Sequence, residues 1–173
     1  MAASWLTSSA LPKIGETFAM TLRLAVVAMS AVAGVSLAAA ADEFKLGSLE
    51  IVQPWARATI GQAANGIAFM TIENHGSNPD RLIGVTSPVA AKVELHEHKM
   101  ENGVMEMRQL DEVDLNPGDT VVLRPGGLHV MLVGINKKLA EHDKFPMTLT
   151  FMKAGSVEIE VNVESVGASG PTN

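Results

Sequence analysis

Hydrophobic and polar residues alternate along most of the chain from residue 48 onward, a pattern typical of half-buried β-strands. Clusters of turn-forming residues separate the alternating runs, namely NHGSNPD, ENG, NPGD, RPGG and KAGS. Gly and Asn accept the positive φ angles that tight turns need, and Pro fixes φ. The pattern predicts eight or nine short strands, in the segments SLEIVQPWARAT, NGIAFMTIENHG, RLIGVTSP, KVELHEHKM, GVMEMRQL, DTVVLRPGG, LHVMLVGI, FPMTLTFMK and SVEIEVNVES.

Short strands joined by tight turns predict an all-β fold, an antiparallel β-sandwich with Greek-key connections. The segment NKKLAEHDKF breaks the alternation and is expected to be a loop or a single helical turn. We expect one folded domain over residues 42–165. The last residues, VGASGPTN, are typical of a frayed chain end and predict a disordered tail over residues 166–173.

The N-terminal region has the pattern of an export signal. A basic residue precedes the apolar run LRLAVVAMSAVAGVSLAAAA, which ends in small residues that suit cleavage. We therefore expect a signal peptide over residues 1–41, with Met20 as an alternative true start, and an exported protein. An uncleaved membrane anchor is the alternative, which the dominance of Ala and Gly disfavours. No cysteine follows the run, so we expect no lipid anchor and no membrane contact beyond the export signal.

Composition narrows the range of partners. The formal net charge is −6, and nucleic-acid binding needs a basic surface, so we expect no nucleic-acid partner. Cysteine is absent from all 173 residues. An exported protein without disulfides must therefore fold on its hydrophobic core alone.

The segment VELHEHKMENGVMEM concentrates two histidines and three methionines in what the pattern predicts to be one hairpin. His96, His98 and Met100 share one face of the first strand because side chains alternate. If the Asn-Gly pair forms a tight turn, Met105 lies opposite Met100, and Met107 lies opposite His98 with His96 on the diagonal. One face of the hairpin is thus expected to carry two imidazoles and three thioethers.

A second segment, GGLHVML, repeats the combination of histidine and methionine. His129 and Met131 are two residues apart in a predicted strand and share one face, and the RPGG turn is expected to place His129 near the rim of the sandwich. Thioether sulfur is a soft neutral ligand, and imidazole suits copper as well as zinc. A mixed site therefore favours Cu(I).

Most single methionines in a β-sandwich fill gaps in the core. We accordingly expect Met70, Met147 and Met152 to be core residues. His75 and His142 are expected in loops, without an assigned role. The clustering of the remaining histidines and methionines is what favours a functional interpretation.

The spacing H-x10-M-x21-H-x-M, with the segments PWARAT, VELHEH, GVMEMR, RPGGLHVML and TLTF, resembles the periplasmic copper chaperones called PCuAC over about Leu49 to Val163. The resemblance implies a cupredoxin-like β-sandwich that binds one Cu(I) through His96, Met107, His129 and Met131. It also implies a role in delivering copper to the CuA site of cytochrome c oxidase. The partners it implies are cytochrome c oxidase subunit II and a Sco-like thioredoxin-fold protein.

Two features of this chain bear on how closely it follows the PCuAC copper-binding pattern. Hairpin geometry brings His98 closest to Met107, whereas the family pattern selects His96, so the choice between these histidines stays open. His98, Met100 and Met105 are retained as accessory groups. Many relatives carry a C-terminal tail rich in His and Met, but ESVGASGPTN has neither residue, so we expect no second copper site there.

Other function classes fit the sequence less well. An electron-transfer cupredoxin needs a cysteine ligand, which this chain lacks. The chain has neither GxSxG nor HExxH, and we do not expect an enzyme. A periplasmic copper buffer or resistance protein without a dedicated acceptor fits the same ligands and remains the alternative to a chaperone.

Overall fold

The computed structural model describes residues 42–172, except Gln62 and Asn102. The predicted signal peptide over residues 1–41 lies outside the described residues. Eleven strands occur in the described part: β1 (Glu43–Leu46), β2 (Leu49–Arg57), β3 (Asn65–Asn74), β4 (Asp80–Thr86), β5 (Ala90–Glu101), β6 (Val104–Leu110), β7 (Val113–Leu115), β8 (Thr120–Leu123), β9 (Leu128–Ile135), β10 (Lys144–Phe151) and β11 (Gly155–Glu164). Within this part of the chain, no helix has the length and apolarity needed to cross a membrane.

The strands form one continuous sheet that folds over on itself. Its order is β6-β5-β9-β3-β2-β11-β10-β4-β7, and β1 and β8 pair with β2 and β3. Leu95 of β5 and Leu115 of β7 come from opposite ends of this path, yet both belong to the same buried cluster. The two ends of the sheet therefore face each other across one core. This arrangement confirms the predicted all-β sandwich.

Two details differ from the sequence-based prediction. β11 pairs with β2 in parallel, whereas every other strand pair is antiparallel within the described residues. These two strands lie far apart in the chain, so no tight turn constrains their direction. The alternating pattern also missed β1 and β7, which have only four and three residues. Runs this short carry too few alternations to be recognised.

Alternate residues of the long strands supply the core. Ile51, Leu82, Leu132, Leu149 and Val161 come from five different strands, and none of them is exposed to solvent. Their neighbours in sequence point the other way, as the period of two requires. The strand periodicity read from the sequence therefore identifies the inward face of the sheet.

The methionines expected in the core divide into two groups. Met70 and Met147 are 2% and 0% exposed, which confirms the prediction for both. Met152 is 52% exposed, so the prediction was wrong there. It follows the buried Phe151, the last residue of β10, so it is out of phase with the inward-facing residues of that strand, and it lies in the turn before β11.

Residues 136–143 of the segment NKKLAEHDKF form a loop, one of the two forms that the sequence allowed, and Lys144 and Phe145 begin β10. Its Leu139 is 1% exposed and packs into the core. The amide of Thr59 donates to the Leu139 carbonyl, and the Leu139 amide donates to the Thr59 hydroxyl oxygen, at 2.9 and 3.1 Å. Hydrogen bonds to another loop thus replace those that a helical turn would make internally.

The segment that the sequence predicts as a disordered tail makes contacts with the folded domain in the described residues. The Arg57 guanidinium donates to the Ala168 carbonyl at 2.8 Å. The amide of Thr172 donates to the Glu164 carboxylate at 3.3 Å. Both partners are polar groups on strands, which a hydrophobic pattern does not reveal.

Candidate metal site

Three neighbouring strands at one end of the sheet, β6, β5 and β9, carry all of the ligand candidates. The register places His96 directly opposite His129 of β9, and His98 directly opposite Met107 of β6. The β5–β6 pairing therefore continues without a bulge from Leu95 to the turn, as the simple hairpin predicts. Sequence spacing alone could not show that His96 and His129 face each other, because their strands are distant in the chain.

The imidazoles lie on the face of the sheet that points away from the core. Leu95, which precedes His96, is buried in the core, and so is Val130, which follows His129. Side chains alternate across a sheet, so the histidines point outward. His129 is nevertheless only 2% exposed. The sequence predicted a position near the rim, but the other two histidines pack against this ring and close it off from solvent.

Ion pairing and burial set the charge states around these rings. The Lys92 ammonium and then the His96 ring hold the pKa of the Glu94 carboxyl below its usual range. Burial lowers the pKa of His129, and this effect outweighs the opposing influence of its hydrogen bond to the Gly127 carbonyl. Glu94 is therefore ionised near neutral pH, whereas the His129 ring is neutral there.

Hydrogen bonds fix which nitrogen of each ring is left with a free lone pair. His96 Nε2 lies 2.8 Å from Glu94 Oε2, and His129 Nδ1 lies 2.9 Å from the Gly127 carbonyl oxygen. A carboxylate and a carbonyl can only accept, so both ring nitrogens donate. A neutral imidazole carries one N–H, which leaves His96 Nδ1 and His129 Nε2 with lone pairs available to a metal.

These same nitrogens are unusual in having no partner. Among the described residues, the buried side-chain nitrogen and oxygen atoms without a hydrogen bond are His96 Nδ1, His98 Nδ1 and His129 Nε2. Leaving a buried polar atom unpaired costs about 1–3 kcal/mol. All three atoms belong to one group of adjacent rings. The local cost is therefore concentrated where a metal ion would relieve it.

Ring spacing tests whether one ion fits. If each metal–nitrogen bond is about 2.0 Å, two imidazoles on the same ion at 90–109° have ring centroids about 4.5–5.1 Å apart. The His98–His129 separation is 4.8 Å, and the His96–His129 separation is 5.7 Å. No group of three His, Asp or Glu side chains in the described part is already arranged around a metal position. Binding by nitrogen ligands therefore requires the rings to rotate, and His96 lies farthest from the expected spacing.

The methionines differ in their accessibility. Met131 is half-buried and adjoins His129 on the same face of β9, directly opposite Glu94 of β5. Met107 is 51% exposed. Met100 and Met105 form a cross-strand pair near the hairpin turn and are 61% and 58% exposed, so neither is a core residue. The structure thus places soft ligands on both sides of the imidazoles, with the more accessible ones on β5 and β6.

Sequence reasoning missed Glu94. Its signal was present, because Glu94 lies two residues before His96 in VELHEH and therefore shares its face. A carboxylate that orients a metal-binding imidazole is a common second partner. The two histidines without an assigned role lie elsewhere: the ring of His75 contacts the Glu50 and Glu73 carboxylates, and His142 occupies a turn with φ of 71°.

The fold and this edge of the sheet define a cupredoxin-like β-sandwich whose outer face carries histidine and methionine. The family model described as "Putative lipoprotein LpqE-like" matches residues 49–163. The chain therefore belongs to the LpqE-like family and is a PCuAC-family domain, which confirms the resemblance drawn from the sequence.

Solved structures and curated sequences agree with this assignment. The chain is 35% identical to the copper-bound PCuAC domain from PmoF2, with a TM-score of 0.62 over 71% of this chain and 97% of that one. It is 29% identical to the apo PCuAC domain from PmoF1, with a TM-score of 0.62 over 71% and 98%. Putative lipoprotein Lxx21020 from Leifsonia xyli subsp. xyli is 31% identical over 67% of this chain and 69% of its own length.

Proposed function

We propose that the protein is a periplasmic metallochaperone that binds Cu(I) as its cargo through His96, Met107, His129 and Met131. One observation carries the proposal: two oriented, buried imidazole nitrogens lack partners on strands that share their outer face with methionines. The similarity to a PCuAC domain solved with copper supports copper as the metal. The chemistry supports it too, because thioether ligands suit Cu(I) rather than Zn²⁺, Ca²⁺ or Mg²⁺.

The ligands divide the tasks of holding and releasing copper. His96 and His129 are anchored by hydrogen bonds on neighbouring strands and hold the ion. Met107 lies on the more exposed strand and offers a neutral thioether that an incoming ligand can displace first. Neutral ligands need no proton when they leave, so release does not depend on acid. Thiolates of an acceptor, being stronger soft ligands, draw Cu(I) away.

We propose the CuA site of cytochrome c oxidase subunit II as the destination, reached directly or through a Sco-like thioredoxin-fold protein. The PCuAC resemblance supports this choice. The alternative, a copper buffer or resistance protein, uses the same ligands but has no dedicated acceptor. Contact-dependent transfer distinguishes the two, because a chaperone exchanges ligands within a complex and a buffer releases free ions.

The test compares transfer in mixed solution with transfer across a dialysis membrane. The protein is loaded anaerobically with Cu(I) and presented to the apo, soluble CuA domain of subunit II, and copper is measured on each protein after separation. A chaperone predicts transfer at least about ten times faster in mixed solution than across the membrane. Equal rates in the two arrangements would support the buffer instead.

The export route is part of the same proposal. Residues 1–41 are removed as a signal peptide, and residues 42–165 form the copper-binding domain. Mass spectrometry of the protein from a periplasmic fraction is expected to show a mature N-terminus near Asp42. Recovery of a protein that retains residues 24–41 in the membrane fraction would contradict cleavage.

A further inference from the structure

His98 is not one of the four ligands proposed for Cu(I), yet its environment resembles that of the two histidines that are. Its Nδ1 is buried without a hydrogen-bond partner, as are His96 Nδ1 and His129 Nε2. A histidine that only interacted with solvent at the surface would expose both ring nitrogens to water. The backbone holds it in place, because its amide donates to the Gly127 carbonyl at 3.2 Å.

The spacing between the His98 and His129 rings suits a shared metal ion better than the spacing between His96 and His129, the two histidines of the PCuAC pattern. Its ring centroid lies 4.8 Å from that of His129, within the range of about 4.5–5.1 Å for two imidazoles on one ion. The two ring planes are tilted by 30°. His129 is also the ring that His96 approaches, at 5.7 Å between centroids. His129 is therefore adjacent to both other rings. The three rings are not already arranged around one position in the described residues, so binding one ion requires them to rotate.

The chemistry of three imidazoles differs from that of two imidazoles with thioethers. Cu(II) prefers nitrogen and oxygen ligands in a tetragonal arrangement, whereas thioethers favour Cu(I). We propose that His98 joins His96 and His129 in a three-imidazole site that binds Cu(II). The same face of the sheet then offers different but overlapping ligand sets to the two oxidation states. The proposal shares His96 and His129 with the proposed Cu(I) site and rests on that function for these two.

The test is an aerobic Cu(II) titration of the protein with glycine as the competing ligand, followed by electron paramagnetic resonance. The intact protein is expected to bind one Cu(II) coupled to three imidazole nitrogens. In His98→Ala the affinity falls about 10- to 100-fold, and only two nitrogens remain coupled. His98→Gln, which keeps a polar side chain of similar length, is expected to show the same spectrum as His98→Ala.

Matched variants exclude surface binding as the source of the signal. His75→Ala and His142→Ala each remove a histidine outside the group and are expected to leave the spectrum and the affinity unchanged. A spectrum in His98→Ala identical to that of the intact protein would overturn the proposal.

A separate anaerobic Cu(I) titration distinguishes the two sites. Met107→Leu removes a thioether ligand and is expected to lose Cu(I) affinity while keeping the three-nitrogen Cu(II) spectrum. An unchanged circular dichroism spectrum checks that His98→Ala is folded, and loss of the third nitrogen in this folded variant supports the proposal. A protein that binds Cu(II) through three imidazoles but does not bind Cu(I) also supports the Cu(II) site, and it refutes the proposed chaperone function instead.

Discussion

Glu94 provides a sharp test of how the imidazoles are prepared for copper. Its carboxylate accepts a hydrogen bond from His96 Nε2 at 2.8 Å, and the Lys92 ammonium also pairs with it. The bond keeps the proton on Nε2 and leaves Nδ1 free. In Glu94→Ala the ring loses this constraint, so it must be reoriented and set in the correct tautomer when copper binds.

Loss of such an orienting partner typically lowers metal affinity about 10- to 100-fold. We therefore expect Glu94→Ala to weaken Cu(I) binding within that range in a competition titration against a chromophoric chelator. Glu94→Gln retains an acceptor oxygen without the charge, and its loss should be smaller. The matched control is Glu97→Ala, on the opposite face of the same strand, where the carboxylate lies 3.9 Å from Arg108. Equal affinities for Glu94→Ala and Glu97→Ala would refute the reasoning.

Three further predictions concern stability. Burial depresses the pKa of His129 below 6.5, so the unfolded chain binds more protons than the folded one as pH falls. The melting temperature of the apo protein should therefore fall as pH drops below about 6.5. A His129→Gln variant should show a flatter dependence of melting temperature on pH, and equal slopes for the two proteins would contradict the assignment. Asp80 is 7% exposed and accepts three hydrogen bonds of 2.8–2.9 Å from backbone N–H groups. Asp80→Asn should therefore lower the free energy of unfolding in denaturant by about 1–3 kcal/mol. An unchanged unfolding midpoint would argue against these hydrogen bonds. A Cβ at Gly66 would lie 2.8 Å from Ile135 Cδ1, whereas one at Gly84 would have its nearest neighbour at 3.8 Å. Ile135 Cδ1 is the end of a flexible side chain that can turn away, so Gly66→Ala should cost about 1 kcal/mol in denaturant unfolding and Gly84→Ala less, and the reverse order would contradict the packing.

The sequence predicted most of the fold because the long strands alternate cleanly. Ile51, Leu132 and Val161 were identifiable as inward-facing from the period of two alone. The parallel pairing of β11 with β2 was not predictable, since it depends on contacts between distant segments rather than on a turn. Met152 shows a prediction that did not apply this period: the buried residues of β10 alternate up to Phe151, so position 152 is out of phase with them.

In the candidate site, too, the sequence predicted some features, and others needed the structure. Pairing within the hairpin, such as His98 with Met107, followed from the turn residues. The facing of His96 and His129 depends on the β5–β9 pairing and needed the structure. So did the burial of His129, because the residues that cover it come from another strand. Local geometry could therefore be predicted, whereas burial and convergence could not.

The most direct test of the copper site is an anaerobic Cu(I) competition titration of the intact protein beside Met107→Leu, His129→Ala and Met152→Leu. Met107 and Met152 are almost equally exposed, at 51% and 52%, but only Met107 lies beside the imidazoles, so Met152→Leu is its matched control. We expect one tightly bound Cu(I) in the intact protein and in Met152→Leu. Binding should be lost or weakened about tenfold or more in Met107→Leu and His129→Ala. If the intact protein fails to compete for Cu(I), or if Met107→Leu and Met152→Leu bind it equally well, the proposed site is wrong.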